Sequence, residues 1–205
     1  MTLHRPLALV RIVDDDEGVR DSYRFLIESD GWLVKTYCDA QDFLEHDAPD
    51  IPGVIVLDVR MPGLTGLELQ QYLKTLANDL PIIFMSAHAN FEMVVSAVQN
   101  GAIDFLPKPV DDEKLLIAIE KAVNISLTNQ ASRQEKAQLR AAWERLSERE
   151  KETVHWIKQG LSNKLIAREM GITERTVQVH RANVFQKLGV KSAVEMMGKL
   201  QGFTP

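Results

Sequence analysis

Short apolar runs alternate with amphipathic stretches over the first 123 residues of the chain. Between the runs, apolar residues recur at helical spacing, as at Val19, Tyr23 and Leu26. Strands that alternate with helices predict an α/β fold in which the strands form a doubly wound, five-stranded parallel sheet. The predicted strands are Leu9–Val13, Trp32–Tyr37, Val54–Leu57, Pro81–Met85 and Ile103–Leu106.

From Leu146 onward the pattern predicts helices only. Each of four amphipathic stretches begins at a capping residue, and the first is a capping box in which Glu150 follows Ser147. Lys191 is an alternative first residue of the last helix. The predicted caps are Ser147, Ser162, Thr173 and Ser192, and glycines 160, 171 and 189 end the first three helices. A separate, all-α unit of four helices is therefore expected.

Residues 124–145 differ from both patterns. They are rich in Ala, Gln, Glu, Lys and Arg from residue 133 onward, and all five residue types favour helix. Few apolar residues interrupt them. We therefore predict a largely helical, exposed linker, and the chain divides into domains at residues 1–123 and 146–205 with this linker between them.

Charge is distributed unevenly over these domains. Residues 1–139 hold 12 Lys and Arg against 22 Asp and Glu, whereas residues 140–205 hold 12 against 7. A basic second domain is typical of nucleic-acid binding. Cys38 is the only cysteine, which excludes an intrachain disulfide. Together with the absence of a signal-peptide pattern or membrane-spanning run, this predicts a cytoplasmic protein that does not contact the membrane.

Polar side chains follow several predicted strands. Asp58 ends the most apolar run, and Asp14 and Asp15 follow the first strand. Ser86 and Lys108 follow two others. Because the carboxyl ends of parallel strands line one crevice, we expect these groups to converge there, with Asp58 facing solvent. Such a set suits a divalent cation and a phosphoryl group.

The first domain resembles the receiver domain of bacterial two-component response regulators, which has a flavodoxin-like fold. The matching segments are Val13–Asp15, Leu57–Gly66, Ser86–Ala87 and Lys108–Pro109, in that order. Taken singly, an aspartate pair is more often a turn, a serine a helix cap and a lysine a solvated charge. Four segments in register are specific.

The resemblance implies roles for these residues. Asp58 would accept a phosphoryl group from a sensor histidine kinase in the presence of Mg²⁺ or Mn²⁺. Ser86 and Lys108 would contact the phosphoryl group, and Phe105 would turn inward as the domain switches. The implied metal ligands are Asp15, Asp58, the backbone carbonyl of Arg60 and, through water, Asp14.

Three residues depart from the receiver pattern. Arg11 places a charge in the first strand, where we expect it near the strand edge or extended towards solvent. Val110 stands in place of the usual Phe after Lys108–Pro109, a bond that the resemblance implies is cis. Ser86 stands where Thr is commoner, but it keeps the hydroxyl.

The second domain resembles the helix-turn-helix of LuxR- and FixJ-type (NarL-like) regulators. The matching segments are Leu146–Glu150, Gly160–Ala167, Ile172–Asn183 and Lys187–Val190. In such a motif the third helix enters the major groove of promoter DNA. Base-facing candidates are Arg175, Gln178, Val179, Arg181 and Ala182, and phosphate-contacting candidates are Asn163, Lys164, Thr173, Thr176 and Lys187.

These features predict a phosphorylation-controlled transcriptional regulator that is not an enzyme, apart from catalysing its own phosphorylation and dephosphorylation. A homodimer is expected on phosphorylation, and RNA polymerase is a candidate partner. One alternative is a small-substrate phosphatase, but Arg60 stands where such enzymes place a second acid. Another is a receiver that no longer takes phosphate, which would lack Asp15, Asp58 or Lys108.

Overall fold

The computed structural model describes residues 5–48, 50–87 and 90–204. The outermost residues of the predicted domains, 1–4 and Pro205, lie outside this range. The chain divides into two compact units, one ending at Ala131 and the other beginning at Ser132. This border falls inside the predicted linker, and the domain boundaries themselves stay a prediction.

All five predicted strands form, and their ends shift by at most one residue. They make one parallel sheet within the described residues, in the order β2-β1-β3-β4-β5. The parallel arrangement places all the strand carboxyl ends along one edge, as expected. The strands are β1 Leu9–Val13, β2 Leu33–Tyr37, β3 Gly53–Asp58, β4 Ile82–Ser86 and β5 Asp104–Pro107.

Helices cover both faces of the sheet and confirm the doubly wound fold. On one face, Ile12 packs in a core with Ile27 and Leu115. On the other face, Val13 belongs to a second core that includes Leu69 and Ala97. The helices that contribute to the two cores are α1 Glu17–Ser29, α2 Ala40–His46, α3 Gly66–Thr75, α4 Phe91–Gln99 and α5 Asp112–Glu144.

Helix α5 is 33 residues long and contributes residues to the cores of both units. Its first part packs against the sheet, where the Ser126 hydroxyl accepts a buried hydrogen bond from the amide of Gly53 at 2.9 Å. Its last part contributes Leu139 and Ala142 to the core of the second unit. Residues 131–138 are exposed. Neither α5 nor any other helix of the described residues is long and apolar enough to cross a bilayer.

Four further helices build the second unit, as the capping pattern predicts. They pack around a core that includes Val154, Val177, Val184 and Leu188. Gly171 adopts a left-handed conformation with φ of 66° and ends the second of them, which fixes the turn of the helix-turn-helix. Ser192 caps the last helix. The helices are α6 Glu148–Lys158, α7 Asn163–Met170, α8 Glu174–Leu188 and α9 Ala193–Lys199.

Arg11 corrects the expectation that it lies near a strand edge or extends towards solvent. Strand β1 pairs with β2 on one side and β3 on the other, and Arg11 is fully buried. Its guanidinium donates to Asp47 Oδ1 at 2.7 Å and to the carbonyl oxygens of Ala48 and Ile51 at 2.8 and 2.9 Å. The α2–β3 loop therefore supplies the polar partners that this buried charge requires.

Candidate phosphoryl-acceptor site and nucleic-acid interface

Asp14 and Asp58 share one ammonium group at the carboxyl edge of the sheet. Lys108 Nζ donates to Asp14 Oδ2 and to Asp58 Oδ1, each at 2.5 Å. Asp14 is 1% exposed and Asp58 6% exposed. Three of the five groups that we expect to converge are therefore in contact, namely Asp14, Asp58 and Lys108. Asp58 is buried, which corrects the expectation that it faces solvent.

The segment after β3 holds Asp58 in place. The amide of Arg60 donates to Asp58 Oδ2 at 2.5 Å. At Gly66, the first residue of α3, a Cβ atom would lie 2.1 Å from the carbonyl oxygen of Asp58. Only glycine permits this approach, and it lets α3 begin directly against the candidate phosphoryl acceptor.

The loop between β1 and α1 holds the other carboxylates. The amide of Asp16 donates to Asp14 Oδ1 at 3.1 Å, and Asp15 is exposed. Arg20 Nη1 donates to the carbonyl oxygen of Asp14 at 2.7 Å. The sequence-based set did not include Arg20. Its position in the sequence could have indicated this contact, because Arg20 lies in the second turn of α1, which begins directly after the acidic loop.

Ser86 and Lys108 lie together across the β4–β5 edge. Ser86 is buried, and its carbonyl oxygen accepts from the amide of Lys108 at 2.8 Å. The Lys108–Pro109 peptide bond is cis, as the resemblance implies. Phe105 is half-buried on β5, and its ring centroid lies 5.9 Å from that of Phe84. The predicted switch residues thus occupy adjacent strands.

Burial and charge oppose each other in this site. Burial raises the pKa of Asp14 and outweighs the hydrogen bond from Lys108. Burial acts to lower the pKa of Lys108, but its hydrogen bonds to Asp14 and Asp58 outweigh burial and raise it. Two buried carboxylates against one ammonium leave an excess negative charge, which would favour binding of a cation.

The donor set has the chemistry of a Mg²⁺ site, since carboxylate oxygens are hard ligands and negative charge is in excess. Asp14 and Asp58 are together in the structure. No group of three or more His, Cys, Asp or Glu residues stands arranged for a metal within residues 5–48, 50–87 and 90–204. The exposed Asp15 is therefore not gathered with the other two.

Four of the five predicted base-facing residues form one arc of helix α8, and they are Arg175, Gln178, Val179 and Ala182. Val177, Val184 and Leu188 bury the opposite side in the core of the unit. Arg181 lies outside this arc by helical rotation, and its guanidinium carbon lies 5.6 Å from the ring centroid of Phe185. A shallow depression of about 550 Å³ is lined by Arg175, Gln178, Val179 and Ala182.

The predicted phosphate-contacting residues fall into two groups. Asn163 and Lys164 begin α7, and Thr173 caps α8 by accepting from the amide of Thr176 at 3.2 Å. These four stand at helix N-termini, where amide groups also attract anions. Lys187 differs, since its ammonium donates to Glu150 Oε2 at 2.7 Å within the same unit.

Comparison with known proteins identifies the family. The model of the response regulator receiver domain matches residues 10–120, and that of bacterial regulatory proteins of the luxR family matches residues 144–199. The chain belongs to the response regulators that carry a luxR-family domain. These two matches confirm both resemblances, and they agree with the predicted fold class.

Several relatives match this response regulator over nearly its whole length. The transcriptional regulatory protein FixJ of Rhizobium meliloti (strain 1021) is 40% identical over 199 residues, covering 96% of this chain and 97% of FixJ. The response regulator protein TmoT of Ectopseudomonas mendocina is 38% identical over 190 residues, covering 93% and 86%. The solved structure of the response regulator StyR has a TM-score of 0.90 at 40% identity, covering 97% and 100%.

These relatives confirm the predicted function. The protein is a phosphorylation-controlled transcription regulator with a receiver and a LuxR-type DNA-binding domain. Membership of a family of transcriptional regulators also favours a regulatory role over the phosphatase alternative.

Proposed function

We propose that Asp58 accepts a phosphoryl group from a sensor histidine kinase, and that the new charge controls dimerisation and promoter binding. The observation that supports this most directly is the Lys108 ammonium, which lies 2.5 Å from both Asp14 and Asp58. A cation beside a buried carboxylate stabilises the charge that develops on a transferring phosphoryl group.

The proposed step forms one bond and breaks one. A carboxylate oxygen of Asp58 attacks the phosphorus of a phosphohistidine, the P–N bond breaks, and the imidazole nitrogen keeps the electron pair. Lys108 and the Ser86 hydroxyl donate hydrogen bonds to phosphoryl oxygens. The product is an acyl phosphate with close to two negative charges at a site where one carboxylate stood.

A Mg²⁺ or Mn²⁺ ion completes the proposal. Asp15, Asp58 and the backbone carbonyl of Arg60 would hold it directly, and Asp14 through water. When bound, such an ion neutralises phosphoryl oxygens and orients them. In support of this, Asp14 and Asp58 place buried carboxylate oxygens and an excess of negative charge at this edge of the sheet.

The switch and the DNA contacts lie in different units. We infer that Ser86 moves towards the phosphoryl group and Phe105 turns inward, which biases a two-state face towards a homodimer. The dimer then binds promoter DNA through α8, and RNA polymerase is a further proposed partner. The proposed base contacts are Arg175, Gln178, Val179 and Ala182, and the proposed phosphate contacts are Asn163, Lys164, Thr173 and Thr176.

Phosphorylation should change both size and DNA binding of the full-length regulator. With acetyl phosphate and Mg²⁺, sedimentation velocity should show a dimer, and promoter affinity should rise relative to the sample without the donor. In a DNase footprint of the promoter, the phosphorylated regulator should protect two half-sites about one helical turn apart. An unchanged sedimentation coefficient together with unchanged affinity would contradict the proposal.

Gln178→Ala should relax sequence preference at particular base pairs. A glutamine amide pairs bidentately with adenine, so its loss should reduce discrimination there by about 1–3 kcal/mol. Binding to a library of single-base operator variants measures this. Lys164→Met is the matched control, because loss of a phosphate contact weakens binding to all sequences uniformly. A uniform loss for Gln178→Ala would make it a backbone contact instead.

A further inference from the structure

Lys187 stands at the junction of three helices. It lies on the last turn of α8, and its Nζ donates to Glu150 Oε2 at 2.7 Å and to the carbonyl oxygen of Arg145 at 3.1 Å. Glu150 belongs to the first turn of α6, and Arg145 directly follows α5. One side chain thus links the ends of α5, α6 and α8.

Glu150 is the buried member of this junction. Its side chain is 4% exposed, and its Oε2 also accepts from the amide of Ser147 at 2.7 Å in the capping box of α6. Burial acts to raise the pKa of Glu150, but the hydrogen bonds from Lys187 and Ser147 outweigh burial and lower it. A buried, ionised carboxylate needs its cation, since loss of one partner leaves an uncompensated charge.

The position of Lys187 on α8 agrees with an internal role. Successive residues turn by about 100° around a helix, so Lys187 points roughly 130° away from the centre of the arc formed by Arg175, Gln178, Val179 and Ala182. By contrast, Lys164 is exposed and makes no ion pair among the described residues. The two lysines therefore differ in their surroundings, although both are predicted phosphate contacts.

We propose that Lys187 is a positioning residue that fixes the recognition helix α8 against the ends of α5 and α6, and not a contact to DNA phosphate. The inference rests on the proposed DNA-contacting surface of α8. As a consequence, the orientation of α8 within the second unit depends on its contact with the C-terminal end of α5. The side chain that makes this contact does not bind DNA.

Salt dependence separates the two roles. A phosphate contact releases a counterion, so Lys164→Met should reduce the slope of log affinity against log salt by about 1. Lys187→Met should lower operator affinity roughly tenfold, which corresponds to about 1.4 kcal/mol, and leave the slope unchanged. Lys187→Arg, which keeps the charge and the donors, should restore affinity. A slope reduced by Lys187→Met as much as by Lys164→Met would overturn the inference.

Glu150→Gln gives the sharpest test, because the two roles predict effects of opposite sign. Glutamine keeps an oxygen that accepts from the Ser147 amide, and it removes the negative charge that pairs with Lys187 on the same oxygen. If Lys187 positions α8, Glu150→Gln should lower operator affinity as Lys187→Met does, and the double variant should be no worse than either single variant. If Lys187 contacts phosphate, Glu150→Gln should raise affinity by releasing the lysine and removing a negative charge.

The controls distinguish this inference from the proposed DNA surface itself. All variants are measured as full-length protein on the same operator, with circular dichroism to verify helix content. If Lys164→Met and Gln178→Ala leave binding unaltered, the α8 surface is wrong. If those two behave as proposed but Glu150→Gln tightens binding, the surface stands and the positioning role of Lys187 is wrong.

Discussion

Asp58→Asn should lose all acyl-phosphate labelling, to the background of an untreated sample. An amide is not a nucleophile that can form the acyl phosphate, and Asp58 is the carboxylate that the Lys108 ammonium and the Arg60 amide hold at the end of β3. The fold should persist, because asparagine has nearly the same shape and Lys108 keeps its bond to Asp14. Intact-protein mass spectrometry after incubation with acetyl phosphate and Mg²⁺ measures the labelling.

Asp50→Asn is the matched control for this experiment. Asp50 is exposed and precedes β3, so it stands at the opposite end of the same strand. This variant should label as the unaltered regulator does and should still tighten on the operator when the donor is added. Labelling of Asp58→Asn at the level of Asp50→Asn would place the acceptor on another residue and remove the basis of the proposed switch.

The sequence predicts most of the fold because its local and global signals agree. Apolar runs of four to six residues and helical spacing between them give every strand of the sheet to within one residue. In the second unit, Ser147, Ser162, Thr173 and Ser192 each cap a helix as the pattern predicts. Capping is a local event, so three or four neighbouring residues are enough to reveal it.

The sequence predicts which residues form the candidate site better than it predicts their burial and their contacts. Parallel strands bring Asp14, Asp58 and Lys108 to one edge, which follows from topology alone. Topology does not specify how deeply a side chain is buried, and Asp58 is only 6% exposed where it accepts from Lys108. Nor could spacing show that Lys187 binds Glu150, 37 residues away along the chain. Such contacts depend on how helices pack, which a local pattern does not encode.

Arg11 shows the same limit most clearly. A lone charge in an apolar run suggested an edge position, but the strand order places β1 inside the sheet. What makes the burial tolerable is a network that the chain assembles from distant segments. Asp47 Oδ1 accepts from Arg11 Nε at 2.7 Å and from the Tyr37 hydroxyl at 2.6 Å. The carbonyl oxygens of Ala48 and Ile51 accept from Arg11 Nη2, and that of Leu9 accepts from Nη1 at 3.2 Å.

Arg11→Met should destabilise the first unit by about 3–5 kcal/mol, because removing one partner of a buried ion pair leaves the other charge uncompensated. Asp47 is 6% exposed at its side chain, so water cannot readily replace the guanidinium. Native-state hydrogen exchange followed by mass spectrometry measures this as a reduced opening free energy in peptides from β1 and β3. Peptides from α8 serve as the internal reference and should be unaffected.

Arg24→Met is the matched control for Arg11→Met, because it removes the same side chain from an exposed pair. Arg24 Nη2 lies 3.0 Å from Asp21 Oδ1, and the two side chains are 47% and 57% exposed. Such exposed pairs contribute no more than about 1 kcal/mol to the free energy of unfolding.

The double variant Arg11→Met/Asp47→Asn should recover part of the loss, since no buried carboxylate is then left without its cation. Equal losses for Arg11→Met and Arg24→Met would show that the network adds nothing beyond a surface pair. No recovery in the double variant would instead assign the stabilisation to the hydrogen bonds that Arg11 donates to the carbonyl oxygens of Ala48 and Ile51.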